Sequence, residues 1–109
     1  MPRLITRGRL TRDYWKGLVS APEDREPAVR KAFEATGAKL VALYFTTGDS
    51  DFITITEADD PESIIAALMS VAAIGTISDV TTGRAWTGAE FKAIAEKAKK
   101  AASAYRAPG

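Results

Sequence analysis

Tyr44, Arg84 and Trp86 are the residues of this sequence whose types best suit small-molecule chemistry. An arginine offers fixed donors to a carboxylate or enolate, a tyrosine a donor or an acid, and a tryptophan a flat wall. Together they would line a cleft between a sheet and its cover. The same residues also fit a packed tyrosine and a rim arginine stacked on Trp86. Asp49 and Asp51 make a second candidate, as a hard-cation site or an acid–base pair. Calcium takes roughly six to eight oxygens, however, and turn aspartates routinely bind local backbone N–H groups. They are therefore read as turn residues, and Asp59-Asp60 as a turn plus a helix cap. Arg3, Arg7, Arg9, Arg12 and Lys16 form a basic cluster. It reads as solvated charge near a sheet rim, with an anion or acidic-partner site as the alternative.

Composition narrows the chemistry further. The sequence contains no histidine and no cysteine. It thus lacks the usual general base near neutral pH, the commonest metal ligand, and thiolate nucleophiles or disulfides. No cofactor and no metal are expected. Lys and Arg (15) nearly balance Asp and Glu (14), so no net field selects nucleic acid or an anionic membrane as partner. The longest apolar run, Ile64 to Ile74 with Ser70 inside it, is about half of a membrane crossing. The opening MPRLITRGRL has no hydrophobic stretch of signal length, and a soluble cytoplasmic protein is expected. Its 109 residues fit a single domain, with residues 100–109 as a frayed extension.

The elements that must position these side chains centre on Lys39–Ala58. Val, Leu, Tyr, Phe, Ile and Thr dominate two arms joined by Thr47-Gly48-Asp49-Ser50, a hairpin with Thr46 opposite Asp51. One face would carry Leu40, Ala42, Tyr44, Ile53 and Ile55. The other would carry Val41, Leu43, Phe45, Phe52, Thr54 and Thr56. Leu4–Leu10 is a short strand, and Thr11 caps a short helix over Arg12–Leu18 whose stripe is Tyr14, Trp15 and Leu18. A longer helix starts at Pro27, or at Pro22 with a bend at Pro27. It buries Ala28, Val29, Ala32, Phe33 and Thr36 and ends at Gly37.

After the hairpin, Asp60-Pro61 opens a helix with a wide apolar arc (Ile64, Ile65, Leu68, Met69, Val71, Ala72) that Gly75 closes. It is expected to be the most buried helix, with Met69 filling a core gap. Thr76–Ala85 is the fourth strand. Thr87–Glu90 is a capping box ahead of a last helix bearing Phe91, Ile94, Ala95, Ala98, Ala102 and Tyr105. The order is βαββαβ plus an extra C-terminal helix. Right-handed crossovers then place both connecting helices on one face of a four-stranded antiparallel sheet, an α+β ferredoxin-like fold.

At this point the chain resembles the GYD-domain family of small bacterial and archaeal proteins. The likeness runs from about Pro2 to Lys97. It is carried by Leu43-Tyr44-Phe45 with Thr47-Gly48 and Asp51, by Ala21-Pro22 with Arg25, by Glu57-Ala58 with Asp60, and by Arg84-Ala85-Trp86-Thr87 before Glu90-Phe91. The family's Gly-x-Tyr-Asp turn stands here as Gly48-Asp49-Ser50-Asp51, so Ser50 replaces the tyrosine and no role for that phenol carries over. The resemblance implies a dimeric α+β barrel and leaves activity open.

Helices on one side leave the other sheet face bare, and a contiguous bare apolar face marks an interface. The chain is therefore expected to be its own partner, a homodimer paired through that face. The set Val41, Leu43, Phe45, Phe52, Thr54 and Thr56 is the preferred outer one, because threonines tolerate a partly wet cavity while Ile53 and Ile55 suit a helix. Two functions fit such a molecule. One is a homodimeric module that binds a small ligand or another protein without chemistry. The other is a cofactor-free enzyme, isomerase- or monooxygenase-like, acting on a small carbonyl or phenolic substrate. The module is favoured because no group poised near neutral pH stands out. With only oxygen and thioether donors available, the melting midpoint should be the same with and without a strong chelator. A fall of several degrees would reveal a structural metal.

Overall fold

The computed structural model describes residues 1–109. Its elements are β1 (Arg3–Leu10), α1 (Arg12–Ser20), α2 (Glu26–Glu34), β2 (Lys39–Phe45), β3 (Phe52–Glu57), α3 (Pro61–Ala72), β4 (Ile77–Ala85) and α4 (Gly88–Ala104). The four strands form one antiparallel sheet in the order β2-β3-β1-β4, the ferredoxin-like arrangement. Helix starts follow local chemistry. Pro27 sits in the first turn of α2, which settles the start in favour of Pro27 over Pro22. Asp60 Oδ1 accepts from Glu62 N at 3.0 Å, satisfying one of the donors that a helix start leaves free. Gly37 takes φ +87° after α2, a conformation that glycine adopts without a Cβ penalty.

Alternation along β1 decides which sheet face the helices cover. Leu4, Thr6, Gly8 and Leu10 are buried, whereas Ile5, Arg7 and Arg9 are not. Their β3 partners Thr56, Thr54 and Phe52 are buried too. The core joins Leu4, Leu40 and Ala58 to Phe33 of α2 and to Ile64, Ala67 and Leu68 of α3, with Val29 and Leu43 packed alongside. The preferred outer set is thus corrected: Leu43, Phe52, Thr54 and Thr56 face the helices. Ile5, Ile53, Ile55, Ala42 and Tyr44 share the open face through their register. Thr6 and Thr56 suit the covered side because their hydroxyls bond within the sheet. Thr6 Oγ1 lies 3.0 Å from Thr82 Oγ1, and Thr56 Oγ1 donates to the Leu4 carbonyl at 3.4 Å.

A bulge corrects the register as well. The expected pairing holds from Thr46, whose N–H donates to Asp51 O at 2.8 Å, back to Ala42. It then slips between Leu40 and Ala42. The slip turns Leu40 from Tyr44's side to the core, where it is 1% exposed. Arg30 of α2 donates to the Leu40 carbonyl at 3.0 Å, so a side chain from the covering helix satisfies the backbone at the irregularity.

Two helices depart from expectation. On α3, Ile64, Ala67 and Leu68 are buried, but Ile65 is exposed and Met69 is 67% exposed. Met69 therefore fills no gap within the protomer, because α2 and the sheet cover only one side of the helix. Helix α4 has no buried residue and continues past Lys100 to Ala104. Only its start touches the body, through a Trp86–Phe91 contact with ring centroids 6.1 Å apart and an Arg3–Glu90 ion pair at 3.2 Å. Its projection stretches the molecule to 61 × 31 × 23 Å.

A close approach on the covered face is between Gly8 and Phe52, opposite each other on β1 and β3. A Cβ on Gly8 would lie 2.7 Å from Phe52 Cζ and 2.8 Å from Cε1. The ring lies over the glycine, so only that residue type fits. Gly8→Ala should lower unfolding free energy by roughly 1–3 kcal/mol in urea melts, and Phe52→Leu in that background should restore part of the loss. An undiminished midpoint for Gly8→Ala would show that the ring moves aside freely.

Candidate functional site

The structure does not bring Tyr44, Arg84 and Trp86 together within one protomer. Tyr44 lies on edge strand β2, on the open face opposite Ile53, and is 61% exposed. Arg84 lies on the other edge strand, β4, opposite Leu4 and hence on the helix-covered side. With two strands between them, their backbones are separated by about 14 Å across the sheet, with a further offset of about 10 Å along the strands. Arg84 does stack on Trp86, its Cζ 5.5 Å from the ring centroid. Trp86 is 44% exposed, so it borders the sheet and is not core. The three side chains mark both edges of the sheet.

Of the two hairpin aspartates, Asp51 has a visible job and Asp49 has no side-chain hydrogen bond or ion pair. Asp51 N donates to Gly8 O at 2.8 Å, and its Oδ2 accepts from Leu10 N at 2.9 Å with Arg9 Nε at 3.6 Å. Arg9 Nη1 reaches the Gly48 carbonyl. Asp51 therefore clamps the β2–β3 turn onto the end of β1. The basic cluster disperses along the same lines: Arg9 serves the turn, and Arg3 bridges Glu57 and Glu90, each at 3.2 Å. Arg7 has no ion-pair partner and shares the open face with Ile53.

At the β4–α4 junction, Glu90 completes the capping box. Its Oε1 accepts from Thr87 N at 2.7 Å, and Glu90 N donates to Thr87 Oγ1 at 3.1 Å. The Thr87 backbone N–H first, then Arg3 and the Thr87 hydroxyl, hold the carboxylate below the ordinary glutamate range.

Sequence reasoning missed a cleft between α1, α2, α3 and the covered sheet face. Its volume is about 290 Å³, and its walls are mostly apolar. Phe45 and Phe52 line its end nearest the hairpin turn, and Ala28 and Ala32 of α2 give it room. Tyr14 and Arg25 border both this cleft and a neighbouring hollow of about 280 Å³ under α1 and the connection to α2. Arg25 lies over the Tyr14 ring at 5.9 Å and pairs with Glu23. One signal for the cleft stands in the sequence: Ala28 and Ala32, one turn apart on the buried stripe, leave space that a leucine would fill.

The open-faced antiparallel sheet with two crossovers on one side makes this an α+β protein of ferredoxin-like topology. A crystal structure of a Thermus thermophilus protein shares that fold, with a TM-score of 0.52 at 15% identity over 81% of this chain and 96% of that one. The GYD domain model matches residues 4–95, and the chain belongs to the GYD-domain family. It is also 30% identical over 81 residues to the glutamine synthetase and cystathionine beta-lyase binding protein of Thermus thermophilus, covering 74% of this chain and 85% of that protein.

A pH dependence follows from Glu90. Its folded value lies below the ordinary 4.5, so the stability it lends is complete above that value and is lost as pH falls through the lower folded one. Hydrogen exchange of the first-turn amides of α4 should therefore accelerate at the acid end of the glutamate range, after correction for intrinsic rates. Glu90→Gln should flatten that dependence. An unchanged profile in the variant would assign the effect to another carboxylate.

Proposed function

We propose that this chain is a protein-binding and assembly module that acts as a homodimer paired through the open face of its sheet. The observation that carries the reading is uncovered surface. The chain exposes 7601 Å², whereas a compact chain of its mass exposes roughly 5,900 Å². The excess, about 1,700 Å² per chain or about 3,400 Å² for two copies, lies in the range of an obligate interface. The radius of gyration, 17.8 Å, exceeds the about 13 Å of a compact domain this long, because α4 projects with no buried residue. Ile5, Ile53, Ile55, Ala42 and Tyr44 form the apolar field for such a pairing. Two faces stacked about 10 Å apart would close one shared core. The stripe of α4, with Phe91, Ile94 and Tyr105 exposed, finds its cover in the same assembly.

The relative named for binding glutamine synthetase and cystathionine beta-lyase supports a metabolic enzyme of the cytoplasm as the client. No helix is long and apolar enough to cross a membrane. Tyr44 is then taken up by the dimer, and Arg84 and Trp86, at the β4 edge, serve as contacts for a client, since Trp and Arg are prominent in protein-interface energetics. Of the two functions weighed from sequence, the binding module accounts for these exposed aromatics, and no feature of the site favours the enzyme.

Sedimentation velocity at micromolar concentration should give a dimer, and Ile55→Asp should dissociate it with circular dichroism reporting whether the chain stays folded. A folded wild-type monomer overturns the dimer. Glutamine synthetase and cystathionine beta-lyase from the same host should be tested for co-sedimentation. Association weakened tenfold or more in Arg84→Ala/Trp86→Ala supports the docking contacts, and no association with either enzyme overturns these clients.

A further inference from the structure

We infer that the cleft between α2, α3 and the sheet is a binding site for a small aromatic carboxylate carrying a ring hydroxyl, a function separate from partner binding. Three features define the ligand. The first is size and lining: about 290 Å³ is roughly twice the cavity that holds benzene, which suits two fused rings. Val29, Phe33, Leu43, Phe52 and Leu68 are among the walls, so the body of the ligand is apolar.

The second feature is Thr54. It lines the cleft and is 3% exposed. Its Oγ1 is the one buried side-chain polar atom in the protein without a hydrogen-bond partner. The threonines beside it in the covered sheet face do have partners: Thr6 bonds Thr82 and Thr56 bonds the Leu4 carbonyl. A hydroxyl buried without a partner is destabilising, and a valine would pack in its place without that penalty. The atom has almost no accessible surface in the empty cleft, so in the bound state a turn about the Thr54 Cα–Cβ bond presents it to the ligand, whose hydroxyl supplies the missing bond as donor or acceptor, because the threonine hydroxyl can do either.

The third feature is Arg25, which borders the cleft and stacks on Tyr14. Glu23 engages its Nη1, and the guanidinium has five N–H donors in a planar fork. The remaining donors suit a carboxylate, while the Tyr14 ring keeps the fork in place. Polar recognition at the rim and on the sheet, with apolar walls between, is the pattern of a small-molecule pocket.

The probes are naphthalene-carboxylate and its counterpart with a hydroxyl on the far ring, followed by titration of backbone amide shifts in the intact chain. Saturable shifts should map to Leu43, Phe52, Thr54 and Val71, with the hydroxylated probe bound about tenfold tighter. Thr54→Val should remove that preference while leaving the plain carboxylate bound. Arg25→Gln should weaken both probes about tenfold or more, and Ala32→Leu should block both by filling the cleft. A merely structural Thr54 would leave the preference between the probes unchanged. The inference is overturned if neither probe binds saturably, if the shifts map to the open face, or if the preference survives Thr54→Val. Equal affinity in Arg25→Gln overturns the assignment of the carboxylate end.

Discussion

A pleated sheet sends alternate side chains to opposite faces, and this chain supplies helices for only one of them. That division governs the rest of the structure. Leu4, Leu40, Phe52 and the buried threonines go under α2 and α3, and Ile5, Ile53 and Ile55 go to the other side. The protomer buries 14 of its 109 residues. Further apolar side chains stay exposed away from the sheet, among them Met69 and Ile65 on α3 and Phe91 and Ile94 on α4.

Much of the architecture was legible in local chemistry. Asp60-Pro61, the Thr87–Glu90 box, Pro27 and Gly37 mark helix boundaries through backbone donors and conformational limits that act within a few residues. The hairpin register was equally legible, because Thr46 and Asp51 sit beside a turn whose geometry sets the pairing. What could not be read was anything requiring a comparison across the sheet. The bulge at Leu40–Ala42 is met by Arg30, 10 residues from Leu40 on a different element, and it moves Leu40 from one face to the other. The choice of covered face turned on hydroxyls such as those of Thr6 and Thr82, whose pairing spans most of the chain. Within one protomer the candidate trio is divided for the same reason. Tyr44, Arg84 and Trp86 are near one another in chemistry, while strand order separates the first from the other two.

The turn that bears the family motif shows how one residue serves several levels at once. Asp51 ends the loop, continues the ladder through its N–H to Gly8 O and ties Leu10 N through its carboxylate. With Arg9 holding Gly48, the hairpin is locked to the one strand that touches both halves of the sheet. The Ser50 that replaces the family tyrosine contributes its carbonyl to Thr46 Oγ1 at 2.7 Å, a backbone contact that any side chain at that position allows. The clamp therefore survives the departure from the motif.

The place of β1 in the sheet also bears on how the chain is made. It is the first strand to be synthesised, yet it lies between β3 and β4, so its partners arrive some fifty to eighty residues later. At ordinary rates of elongation, about 5–20 residues per second, LITRGRL waits several seconds with both hydrogen-bonding edges unmet. The β2–β3 hairpin, by contrast, closes locally within microseconds of emerging. Alternating arginines at positions 3, 7 and 9 then have a use before the fold exists. Like charges along an unpaired strand discourage it from pairing with another nascent copy, and the finished sheet redeploys two of them as the ties to Glu57, Glu90 and Asp51.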